Sequence, residues 1–449
     1  MLKSSFTENI NGRLLTQEAI SSTPFSVKDD ARPRCIEYAC DLGADENTKR
    51  INQYFQTLKT LGGGVLGIGA FPEQANFEVN DTLVIPDNCC LIGKGHKRTV
   101  IHMADGIDKN IVESEDFSIL DDSNLWFDEE GVPTNIGIVG VTLIGTGNDA
   151  GHGIALYAKR YRIFDVYVYE AAYDGLYSGG AFKGGQSGLW DMPESDVDRF
   201  YVRLSGNNGI TYKGPHDGRM GRVAISESGN WGVYTEQVAD LSSGILNIEN
   251  LHTYACARGN RLGARALVNT METESNFGEG LVVESPQLVQ INNLYSFNNN
   301  RLNGEGSFDL QFKSRTQVSN LYSDVRYGQT AIKVEAALQI SSGLVEGNGS
   351  GEGVSLNFDN HKIDLQLTNL EVGARTLKSN RSSCIKLLTN NCKTGLLDTF
   401  GCNASRWDVS AVTADGQTGF VYSGVGIKNT IALTSIGTGV NPVSVHIEN

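Results

Sequence analysis

The chain has 449 residues, enough for a sizeable core, but its 52 glycines and 20% charged side chains do not resemble an ordinary helical enzyme. A formal net charge of −15 argues against a nucleic-acid backbone or an anionic membrane surface as partner. No window approaches the roughly 18 consecutive apolar residues of a membrane helix, so no membrane insertion is expected.

Residues 1–34 are polar and weakly patterned, with Pro24 and Pro33 near their end, and read as an arm or linker. The stretch Met1 to Asn9 carries one lysine and no apolar run. No cleavable secretory signal is therefore expected, and the protein either stays inside a cell or leaves by a route such as lysis. Asn47 is placed to cap a helix whose apolar residues Ile51, Tyr54, Phe55, Leu58 and Leu61 recur at steps of three and four. Gly62, Gly63 and Gly64 end it. Short β-prone runs follow at 65–68, 82–86 and 90–93, broken by Gly, Pro and Asp-Asn.

From about residue 135 the chain repeats. A residue that reaches positive φ at little cost precedes an aliphatic one in Gly140-Val141, Asp165-Val166, Asn250-Leu251, Asn293-Leu294, Asn320-Leu321, Gly343-Leu344 and Asn369-Leu370. Each is read as a left-handed bend between two strands that point aliphatic side chains inward. The last four are 27, 23 and 26 residues apart, too short for βαβ units of roughly 30 residues but long enough for one coil of a solenoid. A second strand family, at 209–212, 232–234, 280–283 and 353–356, occupies the same period. A sandwich would not repeat its bend residue, and propeller blades would be longer. The expected fold is all-β, a right-handed parallel β-helix over 35–375 with a short N-terminal capping helix. A β-rich region over 376–449, with a hairpin signal at Asp415-Gly416, is expected to lose the register and to cap the solenoid or mediate oligomerisation.

Asp41 to Thr48, the run Gly62-Gly63-Gly64-Val65-Leu66, and the pieces Leu83 to Asn88, Leu91 to Gly95 and Thr99 to Ile101 resemble the N-terminal signature of the pectate-lyase-like β-helix superfamily, phage tailspike depolymerases above all. One departure is that Ile68-Gly69-Ala70-Phe71-Pro72 displaces the proline that family usually places after the triple glycine. The resemblance implies cleavage of a capsular, lipopolysaccharide or exopolysaccharide chain by a homotrimer on a virion tail. A secreted or released bacterial enzyme is the alternative. Gly151-His152-Gly153 is similar to a polygalacturonase motif, but the Asn-Thr-Asp those enzymes carry upstream is missing.

Glycosidic hydrolysis needs two carboxyl groups, whereas elimination needs a base and a cation to neutralise a uronate. The window 190–284 is rich in both carboxylates and aromatics. Glu272 and Glu274, two apart on a strand, share one face at roughly 6.5 to 7 Å and are the expected catalytic pair, with Glu236 and Glu227 as partners across a groove. Trp190, Trp231, Tyr234 and Tyr254 are expected to stack on sugar rings, Asp217 to bind hydroxyls, and Arg258 and Arg261 to bind an acidic sugar. Those arginines, with Arg265, His252 and Tyr254, are read as one loop. Asp196 and Asp198 form another same-face pair, and His216 beside Asp217 sits in a turn. The eight cysteines contain no CxxC spacing, and the acidic clusters 121–122 and 128–130 lack an EF-hand pattern, so no metal and no cofactor is expected. The reading is thus a polysaccharide depolymerase, hydrolase ahead of lyase, with a glycan-binding adhesin or a β-helix transferase or epimerase as alternatives.

Overall fold

The computed structural model describes residues 35–38, 41–69, 75–123, 132–147, 150–179, 194–215, 217–236, 245–302, 307–378, 380–398, 402–403, 405–413, 418–422, 430–437 and 440–448. The chain divides into two compact units, Met1–Asn230 with Tyr234–Asn247, and Trp231–Val233 with Ile248–Asn449.

In the first unit, Cys35–Tyr38 pairs in parallel with Gly64–Ile68, which pairs with Cys89–Ile92 and then Ile136–Val139. Arg160–Tyr169, Glu194–Arg203 and Asp217–Ser226 extend that sheet. A second parallel sheet runs from Leu83–Ile85 through Val112–Ser114, Ile154–Leu156 and Leu176–Ser178 to Ile210–Tyr212. The Ala44–Thr60 helix buries Ile51, Phe55 and Leu58, the periodic face read from the sequence, and Asp45 and Glu46 complement the dipole of its first turn. Asn47 is not its cap. Gly43 holds that position, and Asn47 sits fully buried inside the first turn, accepting bonds from Tyr38 Oη (2.6 Å) and the Leu42 N–H (2.9 Å). It ties the helix to the first strand.

In the second unit, Ala266–Glu274, Val289–Phe297, Thr316–Val325, Leu338–Gly347, Lys362–Thr368, Cys384–Asn390, Arg406–Thr413 and Thr430–Gly437 pair in parallel, each with the next. A second parallel sheet runs from Arg258–Gly263 to Thr418–Tyr422. Each unit is therefore a parallel β-solenoid, the architecture expected from the repeat. Parallel pairing continues past residue 375, where the sequence reading ends the register, and among the described residues Val440–Glu448 runs antiparallel to Thr430–Gly437. Asp415 and Gly416 lie outside the described residues. Among the described residues no helix is long and apolar enough to cross a membrane.

Rung length follows the inward stack. Met271, Leu294 and Leu321 are register partners, and each is at most 4% exposed. Burying such side chains contributes about 1.5–3 kcal/mol apiece. The bends differ from the expectation. Gly140, Asp165 and Asn369 are left-handed, with φ of 65°, 56° and 56°. Asn250, Asn293 and Asn320 lie within strands instead, where two successive side chains turn outward and the inward alternation slips by one residue before the next leucine. Gly343 lies within a strand too, beside a register shift between Ile340 and Leu344. Asn293 and Asn320 instead join an outer amide ladder in which Asn320 Nδ2 donates to Asn293 Oδ1 (3.1 Å) and Asn293 Nδ2 to the Asn269 carbonyl (3.1 Å).

Candidate functional site

Strand alternation builds the site in the second unit. Along Ala266–Glu274, Met271 and Thr273 point inward and are fully buried, so Glu272 and Glu274 project together from the outer face, each with a side chain 41% exposed. From Leu246–Tyr254, His252 reaches both, with Nε2 3.9 Å from Glu272 and 3.5 Å from Glu274, and its ring lies 5.0 Å from that of Tyr254. The register carries the face onward. Tyr295 and then Tyr322 follow Glu272, while Phe297, Asp324 and Glu346 follow Glu274. The Tyr295 and Phe297 rings lie parallel within 1°, centroids 6.4 Å apart, and Phe297 contacts Tyr322 at 5.3 Å. Tyr322 Oη donates to Glu346 (2.7 Å), and burial together with that bond pushes the phenol up to about 12, so it stays a neutral donor.

Aromatic faces flanked by carboxylates are what a sugar requires, since its apolar face stacks and its hydroxyls donate to carboxylate oxygens. His252, Glu272 and Glu274 are also the group, among the described residues, with the composition to hold a metal ion, their ligand atoms all within 4.8 Å of one another.

The remaining sequence candidates fare differently. Tyr254 is exposed on the strip. Trp231 is only 5% exposed, and the Arg258 guanidinium lies over its ring at 5.2 Å, so its face is closed to a sugar. Arg258 and Arg261 do not share a loop with His252 and Tyr254. Both sit on the Arg258–Gly263 strand, Arg258 paired with Glu279 (3.4 Å) and Arg261 donating from Nε to Glu284 (2.5 Å). Glu227, Glu236, Tyr234 and Asp217 belong to the first unit. There Glu227 is a left-handed residue (φ 57°) paired with Arg203 at 3.0 Å, and Asp217 Oδ1 accepts the Ile245 N–H (3.3 Å). Tyr234 is half-buried and Glu236 exposed at the end of its strand. Asp196 is held by Arg219 (2.7 Å) and Arg162 (3.3 Å), and Asp198 accepts the N–H groups of Arg199 and Arg222. Trp190 and His216 lie outside the described residues. The sequence reading missed His252 as the partner of both glutamates and overlooked Tyr295, Phe297, Tyr322 and Glu346. The period-two spacing of Tyr295 and Phe297 was the available signal.

No protein-family model and no curated protein matches the chain. Among solved structures, it is similar to a double mutant of the tailspike protein of E. coli bacteriophage HK620, with a TM-score of 0.51 and 10% identity over 88% of this chain and 78% of that one. It is also similar to the A-module of the Azotobacter vinelandii mannuronan C-5 epimerase AlgE4, with a TM-score of 0.43 and 15% identity over 89% of this chain and 98% of that one. A third is the catalytic unit of a GH87 α-1,3-glucanase from Streptomyces thermodiastaticus, with a TM-score of 0.39 and 13% identity over 74% and 66%. At these identities the tailspike likeness shows a shared parallel β-helix fold.

Proposed function

We propose that this protein cleaves a bacterial surface polysaccharide by carboxylate-assisted hydrolysis, with the glycan lying along the outer face of the second unit. The observation that carries the reading is the continuous strip of His252, Tyr254, Glu272, Glu274, Tyr295, Phe297 and Tyr322 on one sheet face. Glu272 and Glu274 are the proposed carboxylate pair, with His252 Nε2 facing them at 3.9 and 3.5 Å. Hydrolysis is favoured over elimination because Arg258 and Arg261, the cations the sequence offers for a uronate, are already neutralised by Glu279 and Glu284. The fold shared with a phage tailspike supports a place on a virion tail, and a homotrimer is part of the same proposal.

A second reading, glycan binding without cleavage, is favoured by one feature. Glu272 and Glu274 are equally exposed and project in the same direction, an arrangement suited to accepting sugar hydroxyls from one side. The two readings separate on one assay. Purified capsular, lipopolysaccharide and exopolysaccharide chains are incubated with the protein, and both reducing ends and ultraviolet absorbance of the products are followed. Reducing ends without new absorbance support hydrolysis. Both signals together mean elimination, and retention without release means binding only.

A further inference from the structure

The first unit holds a cleft of about 720 Å³ between Asn52 of the Ala44–Thr60 helix, the segment from Asp108 to Glu113, and the loop carrying Gly151 and His152. His152 is packed among aromatic rings, with Tyr177 at 4.9 Å, Tyr173 at 5.3 Å and Phe117 at 6.4 Å. Burial, reinforced by the Lys213 charge, pushes its pKa down to about 4, so the ring is neutral at pH 7. The Asp174 backbone N–H donates to Nδ1 (3.3 Å), an arrangement that favours the ring proton on Nε2, while Asp174 Oδ2, 3.6 Å from the same nitrogen, competes for a proton there once it is ionised; Nε2 itself has no bond to a described residue.

Asp174 is the second unusual group. Its side chain is 1% exposed, and Oδ1 accepts Asn207 Nδ2 (2.8 Å) and the Asn208 N–H (2.9 Å). Oδ2 has no hydrogen-bond partner among the described residues and lies 3.6 Å from His152 Nδ1. A buried acceptor left open carries a desolvation cost, and this one sits beside a histidine that lines a cleft. Tyr173, 48% exposed, offers an aromatic surface at the rim. Asp81, Asp108 and Glu113 line the cleft against a single lysine, Lys109, which is bonded to Asp81 at 2.7 Å. Such walls repel an anionic sugar.

We propose that this cleft is a second saccharide site, taking an uncharged sugar unit, with Tyr173 stacking on the ring and His152 Nε2–H donating to a hydroxyl oxygen. The inference rests on the polysaccharide reading above and extends it to the first unit. Asp174 is a positioning residue. When protonated, its Oδ2 can donate to His152 Nδ1 and hold the ring proton on Nε2. When ionised, it favours the proton on Nδ1 and removes the donor from the cleft. Burial pushes this carboxyl up to about 6, against the Asn208, Thr211 and Asn207 bonds. Lys213 faces both groups and bonds Tyr177 Oη (2.9 Å), which in turn donates to Asp121 (3.0 Å), while Glu113 lines the cleft itself.

The test is calorimetric titration of the full chain with neutral oligosaccharides released from bacterial capsules, with a uronate-containing oligosaccharide as control. Two neutral-sugar sites per chain are expected. His152→Phe should leave one, His152→Gln should restore the donor and the second site, and Tyr173→Ala should weaken that site about tenfold. Affinity at the cleft should fall as pH rises through about 6, and Asp174→Asn should flatten that profile without lowering the unfolding temperature. Two sites that persist unchanged in His152→Phe and Tyr173→Ala would overturn this inference alone. A single site abolished by His152→Phe and indifferent to Tyr295→Ala would overturn the strip and leave the cleft standing. Binding confined to the uronate oligosaccharide would overturn the cleft and leave the strip.

Discussion

Glu272, Thr273 and Glu274 are consecutive residues on opposite faces of one strand, and the two faces differ in how their polar groups are engaged. Inside, Thr273 Oγ1 donates to the Gly280 carbonyl (3.0 Å) and accepts Asn276 Nδ2 (2.9 Å). Asn276 Nδ2 also reaches Asn299 Oδ1 (2.7 Å), and Asn299 Nδ2 donates to Ser296 Oγ (2.9 Å). Ser296 and Ser323 then donate to Asp309 Oδ2 at 2.5 and 3.2 Å. Every one of these side chains is fully buried and tied to a neighbouring rung. Outside, the glutamates and rings of the same strands are half-exposed and make few fixed bonds. A buried polar group has no access to solvent and these side chains make their bonds to protein, whereas an exposed one keeps its capacity for a ligand.

The inner face should be costly to disturb. Asn299→Ala strands Asn276, Ser296 and the Thr273 carbonyl at once, and should lower stability by about 3 kcal/mol in a denaturant titration. A loss under about 1 kcal/mol would erase the contrast between the faces. Burial pushes Asp309 up to about 6, against bonds from Ser296, Ser323 and Asn299. The folded chain therefore holds that proton more tightly than the unfolded one, and the contribution is present at low pH and lost as pH rises from about 4 to 6. The loss should be on the order of 2–3 kcal/mol, and Asp309→Asn should flatten the stability profile over that window. On the outer face, Tyr295→Ala should cost about 1 kcal/mol of oligosaccharide affinity, roughly fivefold. Gln317→Ala, which removes only the exposed bond from Gln290 Nε2 (2.8 Å), should change stability by less than about 0.5 kcal/mol.

The solenoid was legible because one coil recurs, and recurrence survives errors about any single residue. Asn293 and Asn320 marked the rungs correctly although neither is left-handed. What the repeat records there is the slip in alternation, and an exposed asparagine can sit at such a slip without positive φ. The Glu272 and Glu274 pair was legible from period two alone. His252 was not, because its meeting with both glutamates depends on how one rung stacks on the next. A residue count of 20 from His252 to Glu272 does not fix that. Trp231 was misjudged because aromatic residues are as common in cores as at sugar sites, and only its 5% exposure decides between the two.

The most direct measurement compares wild type with Glu272→Gln/Glu274→Gln for depolymerisation of the polysaccharide that wild type cleaves, with the unfolding midpoint recorded on the same samples. The account predicts a loss of about 10³-fold in rate, with the midpoint unchanged, because these side chains act on a ligand and hold no fold together. Undiminished cleavage by the double variant would contradict the central claim and move the chemistry to another face.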